Sequence, residues 1–180
     1  MDNKKIDQLL LKLFSDEKAF KEFYEYTHTF VFAYIMSLLK NYDNSRDVMQ
    51  EVYIKIYQAS QNYYSMRKPL AWIYTIARNE CYMQIRRDKY TDEYHDNISL
   101  PQNTDQNTQM ILENLFTLLN EKERQVIVMH SLWGFKHHEI AEFLQISIST
   151  SLSCYHRGMK KMKKEMEIKL WISYIKLFNQ

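Results

Sequence analysis

The sequence predicts an all-α protein: two small helical domains joined by a flexible acidic linker. Three observations predict it. Only two glycines and two prolines occur among 180 residues, too few for the turns of a β architecture or for glycine-rich phosphate loops. Leu, Ile, Met, Lys, Glu and Gln are abundant, and all of them extend helices readily. Apolar residues recur at three- and four-residue steps through most of the chain, which is the period of a helix face.

Charge divides the chain. The net charge of +2 hides 13 Lys/Arg against 10 Asp/Glu in residues 1–87, one Lys against five acids in 88–108, and 10 against 7 in 109–180. Two mildly basic blocks therefore flank an acidic connector. The expected organisation is a first domain over 1–87, a linker over 88–108, a second domain over 109–168 and a tail over 169–180.

The elements follow in order. Residues 4–14 give a short amphipathic helix with Ile6, Leu9, Leu10 and Leu13 on one side. Ser15 or Asp16 caps a second helix running to Leu39, whose Phe20, Phe23, Thr27, Phe30, Val31, Tyr34 and Leu38 repeat at core spacing. The Asx-rich stretch 41–45 breaks it. A third helix from Arg46 to Ala59 buries a narrow stripe of Val48, Val52, Ile56 and Ala59. Asp47, Gln50, Glu51, Ile54 and Tyr57 lie off that stripe, and carboxylates mixed with exposed Ile and Tyr suit a protein contact.

Pro69 starts a fourth helix, read to Arg87. At about 100° per residue, Leu70, Ile73, Ile76, Ala77 and Cys81 share one face, flanked by Trp72 and Met83. Thr75, Arg78, Asn79, Tyr82 and Arg86 share the opposite face. That face has donors, a ring and two guanidinium groups but no carboxylate, which suits an anionic, planar partner such as nucleic acid. The connection before it places Tyr63 and Tyr64 beside Arg67 and Lys68. Rings next to cations in a loop hold single-stranded bases by stacking and phosphate neutralisation, although loop tyrosines also pack on their own domain.

Residues 88–108 are polar and acidic, the composition of an extended or disordered linker. Beyond it, Ile111, Leu115, Leu118 and Leu119 form one helix. Asn120 caps the next, which runs through Val126, Ile127, Met129 and Leu132 to a stop at Gly134, with Phe135 anchoring the turn. Residues 137–144 are a short helix, and a Ser/Thr-rich start at Ile148 opens the last one, carried through at least Glu167. Arg157, Lys160, Lys161, Lys163 and Lys164 make this last helix basic. Ile140, Ala141, Leu144, Ile146 and Ile148 supply the small and branched residues of a close helix crossing, so 137–167 reads as a helix-turn-helix.

The remaining classes are thinly supported. Cys81 and Cys154 are isolated thiols with no disulfide framework, which fits a reducing cytoplasm. The start lacks a signal-peptide core, and Leu170–Phe178 is too short to span a membrane. His137, His138, Cys154 and His156 match no common zinc spacing, so no metal or other cofactor is expected. Glu121/Glu123 and Glu139/Glu142 read as helix-start and surface acids, and no catalytic constellation is present.

Three segments together carry a resemblance: Asp47-Val-Met-Gln-Glu-Val in the third helix, Ala71-Trp-Ile-Tyr-Thr-Ile-Ala-Arg-Asn79 in the fourth, and Glu139-Ile-Ala-Glu-Phe-Leu144 near the end. Over roughly residues 16–166 the chain resembles the extracytoplasmic-function group of bacterial sigma factors. The resemblance implies a promoter-specificity subunit that binds core RNA polymerase and promoter DNA, with no chemistry of its own. It implies that Asp47, Gln50, Glu51, Ile54 and Tyr57 meet the polymerase clamp. Tyr63, Tyr64, Arg67, Lys68, Thr75, Arg78, Asn79, Tyr82 and Arg86 would meet the minus-ten element, and the linker would run toward the polymerase active site. The minus-thirty-five element would meet Thr150, Ser151, Leu152, Ser153, His156, Arg157 and Lys160.

The last assignment departs from the family pattern. The family commonly has Thr-Val-Lys-Ser-Arg where this chain has Thr150-Ser-Leu-Ser-Cys154, so Leu152 and Cys154 stand in place of two basic residues. Fewer phosphate contacts weaken binding and flatten its salt dependence, and restoring Lys and Arg there should reverse both. Leu152 is able instead to meet a thymine methyl. An anti-sigma factor is a further implied partner, and the 169–180 tail is either extra helix or its docking site. Two other readings stand beside this one: a helix-turn-helix regulator acting without polymerase, and a helical scaffold with no nucleic-acid role.

Overall fold

A computed structural model describes residues 2–65, 68–91 and 116–178, with side chains placed for 2–65, 68–89 and 116–165. The chain divides into two compact units, residues 1–109 and 110–180. Every described element is a helix.

The first unit is built from α1 (Asn3–Lys12), α2 (Glu17–Leu39), α3 (Tyr42–Ser60) and α4 (Pro69–Thr91). α1 packs on α2 and α4, and α2, α3 and α4 all pack on one another. The starts are capped by short polar side chains as the sequence suggests. Asp2 Oδ1 accepts the Lys4 N–H, Asp16 Oδ1 that of Lys18, and Asn41 Oδ1 that of Asn44, each within 2.9 Å. Pro69 takes the first helical position of α4, where its missing N–H costs no hydrogen bond.

The break after α2 is narrower than expected. Lys40 alone turns left-handed at φ 58° and returns its N–H to the Met36 carbonyl, and α3 then begins at Tyr42 rather than Arg46. Ser45, expected in the turn, is buried and donates its hydroxyl to the Asn41 carbonyl. Along α2, Phe23, Thr27, Val31, Tyr34 and Leu38 are buried while Phe20 and Phe30 are only half-buried. On α3 the stripe holds at Val48, Val52 and Ile56, but Ala59 is exposed and Tyr53 is buried instead. Tyr53 bonds Thr27 Oγ1 at 2.7 Å, which in turn donates to the Phe23 carbonyl. That chain gives a polar pair between α2 and α3 full satisfaction away from water.

On α4, Leu70, Ile73, Ala77 and Cys81 are buried, Ile76 is half-buried, and Met83 is exposed. Tyr74, placed on neither face by the periodicity, is buried with its ring 4.9 Å from that of Tyr34. Burial pushes the Cys81 thiol up to about 12, and the Glu80 charge adds to the shift. A thiol in that state packs as a small hydrophobe and is not a nucleophile. α4 also outruns its expected end at Arg87, continuing to Thr91. The rest of the expected linker, the helix expected at Ile111 to Leu115 and the tail's last two residues lie outside the described residues.

The second unit contains α5 (Glu121–Ile127), a π-helical turn (Val128–Leu132), α6 (His137–Leu144) and α7 (Ile148–Phe178). Asn120 and Glu123 cap α5 reciprocally: Asn120 Oδ1 accepts the Glu123 N–H, and Glu123 Oε2 accepts the Asn120 N–H. Glu123 is nevertheless no surface acid. It is 1% exposed, and its carboxylate also takes Lys161 Nζ at 2.7 Å and Arg157 Nε at 3.4 Å from α7. The neighbouring Arg124 is buried and donates to the Phe116 and Leu119 carbonyls. Leu119 is buried as expected, whereas Leu118 and Leu132 are exposed.

α5 passes into the π turn, where the Trp133 N–H reaches the Val128 carbonyl, and the turn ends at Gly134 with φ 75°. Nothing lies within 4 Å of a Cβ placed there, so conformation alone calls for glycine. Trp133 and Phe135 are both buried. The α6–α7 turn is a Schellman closure without glycine: Gln145 is left-handed at φ 53°, its N–H reaches Glu142, and the Ile146 N–H reaches Ala141. Ser147 then caps α7 by accepting the Thr150 N–H. Ile140 and Ala141 are buried at the crossing, Leu144 and Ile146 half-buried, and Ile148 is 52% exposed and outside it.

At Gly158 α7 lies close against α5. A Cβ there would lie 2.5 Å from Ile127 Cδ1 and 3.4 Å from Glu123 Cβ. Gly158→Val should therefore lower the urea-unfolding free energy of the second unit by about 2 kcal/mol. Gly158→Ala should cost much less, because only the tip of Ile127 moves and alanine favours the helix.

The Glu123 cluster adds a pH signature. Burial alone pushes this carboxyl up, but hydrogen bonds from Lys161, the Asn120 backbone and Arg157 outweigh it and hold it below the ordinary 4.5. A carboxyl lowered by folding contributes stability that is complete above its unfolded value and lost as pH falls through the folded one. Glu123→Ala should cost about 2 kcal/mol at pH 7. The difference from wild type should shrink as melts followed by the near-ultraviolet aromatic signal are taken below about pH 4.

Candidate nucleic-acid and protein interfaces

Three surfaces gather the residues that sequence reasoning singled out. On α3, the stripe of Val48, Val52, Ile56 and Tyr53 faces α2 and α4. This leaves Asp47, Gln50, Glu51, Ile54 and Tyr57 all exposed, as their spacing requires. Ile54 and Tyr57 border a groove of about 550 Å³ between α3 and the α1–α2 turn, walled by Leu13, Phe14, Phe20 and Tyr53. The Tyr57 ring meets Phe14 at 5.4 Å and Phe20 edge-on at 5.7 Å. Asp47, Gln50 and Glu51 instead line a polar cleft of about 290 Å³ toward Glu80, Gln84 and Arg87 of α4. The face thus has an apolar end and an acidic end.

Phe14, exposed, lines the apolar end, and Leu11 is exposed as well; periodicity names neither. Their signal was present: two large apolar residues off the Ile6/Leu9/Leu10/Leu13 side of a short helix.

The second surface is the outer side of α4. Thr75, Asn79 and Arg86 are exposed, and Arg78 and Tyr82 are half-buried. The Arg78 guanidinium lies 5.2 Å from the centre of the Tyr82 ring, and Arg86 Nε donates to the Tyr82 carbonyl. These contacts hold two cations and a ring on one side of a rigid helix. Thr75 turns its hydroxyl back to the Ala71 carbonyl. In the preceding loop the two tyrosines separate. Tyr63 donates its hydroxyl to Asp7 Oδ1 at 2.6 Å and meets Trp72 edge-on. Burial, then the Asp7 bond, raise its ionisation well above the usual range. Tyr63 is an anchor to α1. Tyr64, 69% exposed, is the ring the loop presents, with Lys68 exposed beside it. Arg67 lies outside the described residues.

The third surface is the outer side of α7. Leu152, Ser153, His156, Arg157 and Lys160 are exposed and Thr150 is half-buried. Ser151 does not reach the surface: it is buried, with its hydroxyl 2.9 Å from His137 Nδ1. Cys154 is 2% exposed, so of the two positions read as lost basic contacts only Leu152 is a surface position. Arg157 is partly engaged by Glu123 and by Cys154 Sγ. His137 stacks on His130 at 4.3 Å. Burial, then the nearby His130 and His156, lower its pKa and favour the neutral ring.

Among the described residues no group of three or more His, Cys, Asp or Glu is placed to hold a metal, and no described helix is long and apolar enough to cross a membrane.

Comparison with known proteins matches the two units separately. Sigma-70 region 2 matches residues 23–91, and sigma-70 region 4 matches residues 109–162. The extracytoplasmic-function (ECF) RNA polymerase sigma factor SigX of Bacillus subtilis is 23% identical over 167 residues, covering 84% of this chain and 86% of SigX. Two solved structures share the fold. CnrH in complex with the cytosolic domain of CnrY has a TM-score of 0.59 at 16% identity, covering 91% of this chain and 98% of that one. RpoE in complex with the anti-sigma factor NepR from Bartonella quintana has a TM-score of 0.57 at 20% identity, covering 82% and 98%. Both halves of the sequence, in order and over nearly the full length of SigX, place this chain in the ECF group of RNA polymerase sigma factors, proteins that bind core polymerase and promoter DNA.

Proposed function

We propose that the three surfaces divide the work of a sigma factor. The exposed Asp47, Gln50, Glu51, Ile54 and Tyr57 of α3 hold core polymerase. Tyr64, Lys68 and the Arg78/Asn79/Tyr82/Arg86 side of α4, with Arg67 from the loop between them, meet the minus-ten element. Thr150, Leu152, Ser153, His156, Arg157 and Lys160 of α7 meet the minus-thirty-five element. On this reading residues 1–91, to the end of α4, are the polymerase-binding and melting domain. Residues 92–108 are the linker, 109–168 the upstream-reading domain, and 169–180 a tail. The observation that carries the proposal is the side of α4: a ring and two cations fixed on one helix face with no carboxylate among them. Such a face stacks and neutralises a single strand.

Tyr63 and Ser151 are left out of the contacts, because both hydroxyls serve the fold. The chain supplies recognition and positioning, while polymerisation belongs to core enzyme, so its place of work is the cytoplasm. The structure of RpoE with its anti-sigma factor NepR supports the proposal that an anti-sigma factor regulates this chain too. The groove beside Tyr57 is then a place where such a protein competes with polymerase.

Run-off transcription with core polymerase and a promoter library tests the whole assignment: a specific transcript is expected. Tight duplex binding without any association with core would instead establish a regulator acting alone. Ile54→Ala with Tyr57→Ala should weaken core binding by about tenfold; because Tyr57 also packs on Phe14 and Phe20, binding is compared at a temperature where circular dichroism shows the variant fully folded. Tyr64→Ala or Arg78→Ala should keep core binding while lowering strand opening, read by permanganate reactivity, by about tenfold or more.

A further inference from the structure

The outer side of α7 changes character along its length. At 100° per residue, Ile148, Ser149, Leu152 and Ser153 share the outward arc that His156 and Lys160 continue, while Ser151, Cys154 and Gly158 point inward. Ile148 is 52% and Leu152 39% exposed, and the Ser149 and Ser153 positions between them are exposed as well. The first two turns therefore present apolar groups and hydroxyls and no charge. The cations come later, at Arg157, Lys160, Lys163 and Lys164, and Glu123 draws Arg157 back toward α5.

In a helix-turn-helix the first residues of the second helix meet base edges, and cations nearer the backbone meet phosphates. Guanine is recognised by bidentate Arg or Lys, adenine by Asn or Gln, and thymine by apolar contact with its 5-methyl group. The base-reading turns of α7 contain none of Arg, Lys, Asn or Gln. Ile148 and Leu152 stand one turn apart, about 6 Å along the helix, a span of about two base steps at roughly 3.4 Å each. Both leave apolar surface open to a partner.

We propose that α7 reads its upstream element through thymine 5-methyl groups, with Ile148 and Leu152 as the specificity-determining side chains and Ser149 and Ser153 as tolerant hydrogen-bonding neighbours. The proposal rests on the assignment of α7 to the minus-thirty-five element. Sequence discrimination then comes from apolar contact in the major groove, and affinity from the cations farther along the helix.

The test uses the full chain with core polymerase on a promoter recovered by selection with that holoenzyme. Each thymine of the upstream element is replaced in turn by deoxyuridine, which keeps the base pair and removes only the methyl. Wild type should lose about fourfold in promoter occupancy at one or two of these positions, the value of one buried methyl. Leu152→Ala should lower occupancy of the thymine promoter and no longer distinguish thymine from deoxyuridine at one position, and Ile148→Ala should behave likewise at the other. Both variants should melt as wild type does. Equal occupancy with deoxyuridine at every position would overturn the proposal, as would an upstream element without thymine or a Leu152→Ala protein that keeps the discrimination. Loss of occupancy on 7-deazaguanine substitution alone would overturn it too. A holoenzyme that yields no promoter-specific transcript at all would sink the sigma assignment itself, a separate outcome.

Discussion

The second unit depends on one buried carboxylate. Glu123 closes the start of α5 by accepting the Asn120 N–H at Oε2, takes Lys161 of α7 at the same oxygen and takes Arg157 at Oε1. Removed from water, the charge would cost several kcal/mol without these partners, so the interaction works as a constraint on geometry. It sets which turn of α7 lies against α5, and Gly158, one turn along, lets the helices approach until Ile127 fills the space of a side chain. The same contact rotates α7. With Ser151, Cys154 and Gly158 turned inward, the arc from Ile148 through Leu152 to Lys160 is turned out. The outward face of α7 is thus defined by a charge that is itself buried.

The first unit solves a related problem with polar aromatics. Tyr53 on Thr27, Tyr34 beside Tyr74, and Tyr63 on Asp7 each fix one helix or loop relative to another. Rings fill volume, and their hydroxyls supply direction that aliphatic packing lacks. This accounts for part of the tyrosine abundance: several tyrosines hold the domain in shape, and a few, Tyr57 and Tyr64 among them, remain exposed. With only two glycines available, the chain also turns with Lys40 and Gln145 in the left-handed region. Each such residue costs about 1 kcal/mol or more, accepted where a helix must end in one step.

Much of this was legible beforehand. The helices, their polar caps, the Gly134 stop and the buried faces of α2, α3 and α4 follow from local rules of period and capping. The acidic connector between basic blocks foretold two units. The exposed set on α3 could be named because a helix with one buried stripe must expose the other side. Exceptions cluster where a stripe ends or two elements cross. Phe14 and Leu11 joined the exposed residues, Met83 and Ile148 left the expected core, and Tyr63 and Ser151 left the expected binding sites.

The sequence by itself determined the helical class, the order of the elements, the two-unit plan and the family, because helix period, caps and motif spacing are local and survive without knowledge of the partners across the core. Only the tertiary structure decided which residues at the margins of each stripe are covered. Glu123 looked like an ordinary helix-start acid until α7 brought two cations to it, and Cys154 like a lost DNA contact until its side chain proved to be buried. Burial at such positions depends on where another helix crosses, a distance set by groups far apart in the chain. No periodicity within one helix encodes it.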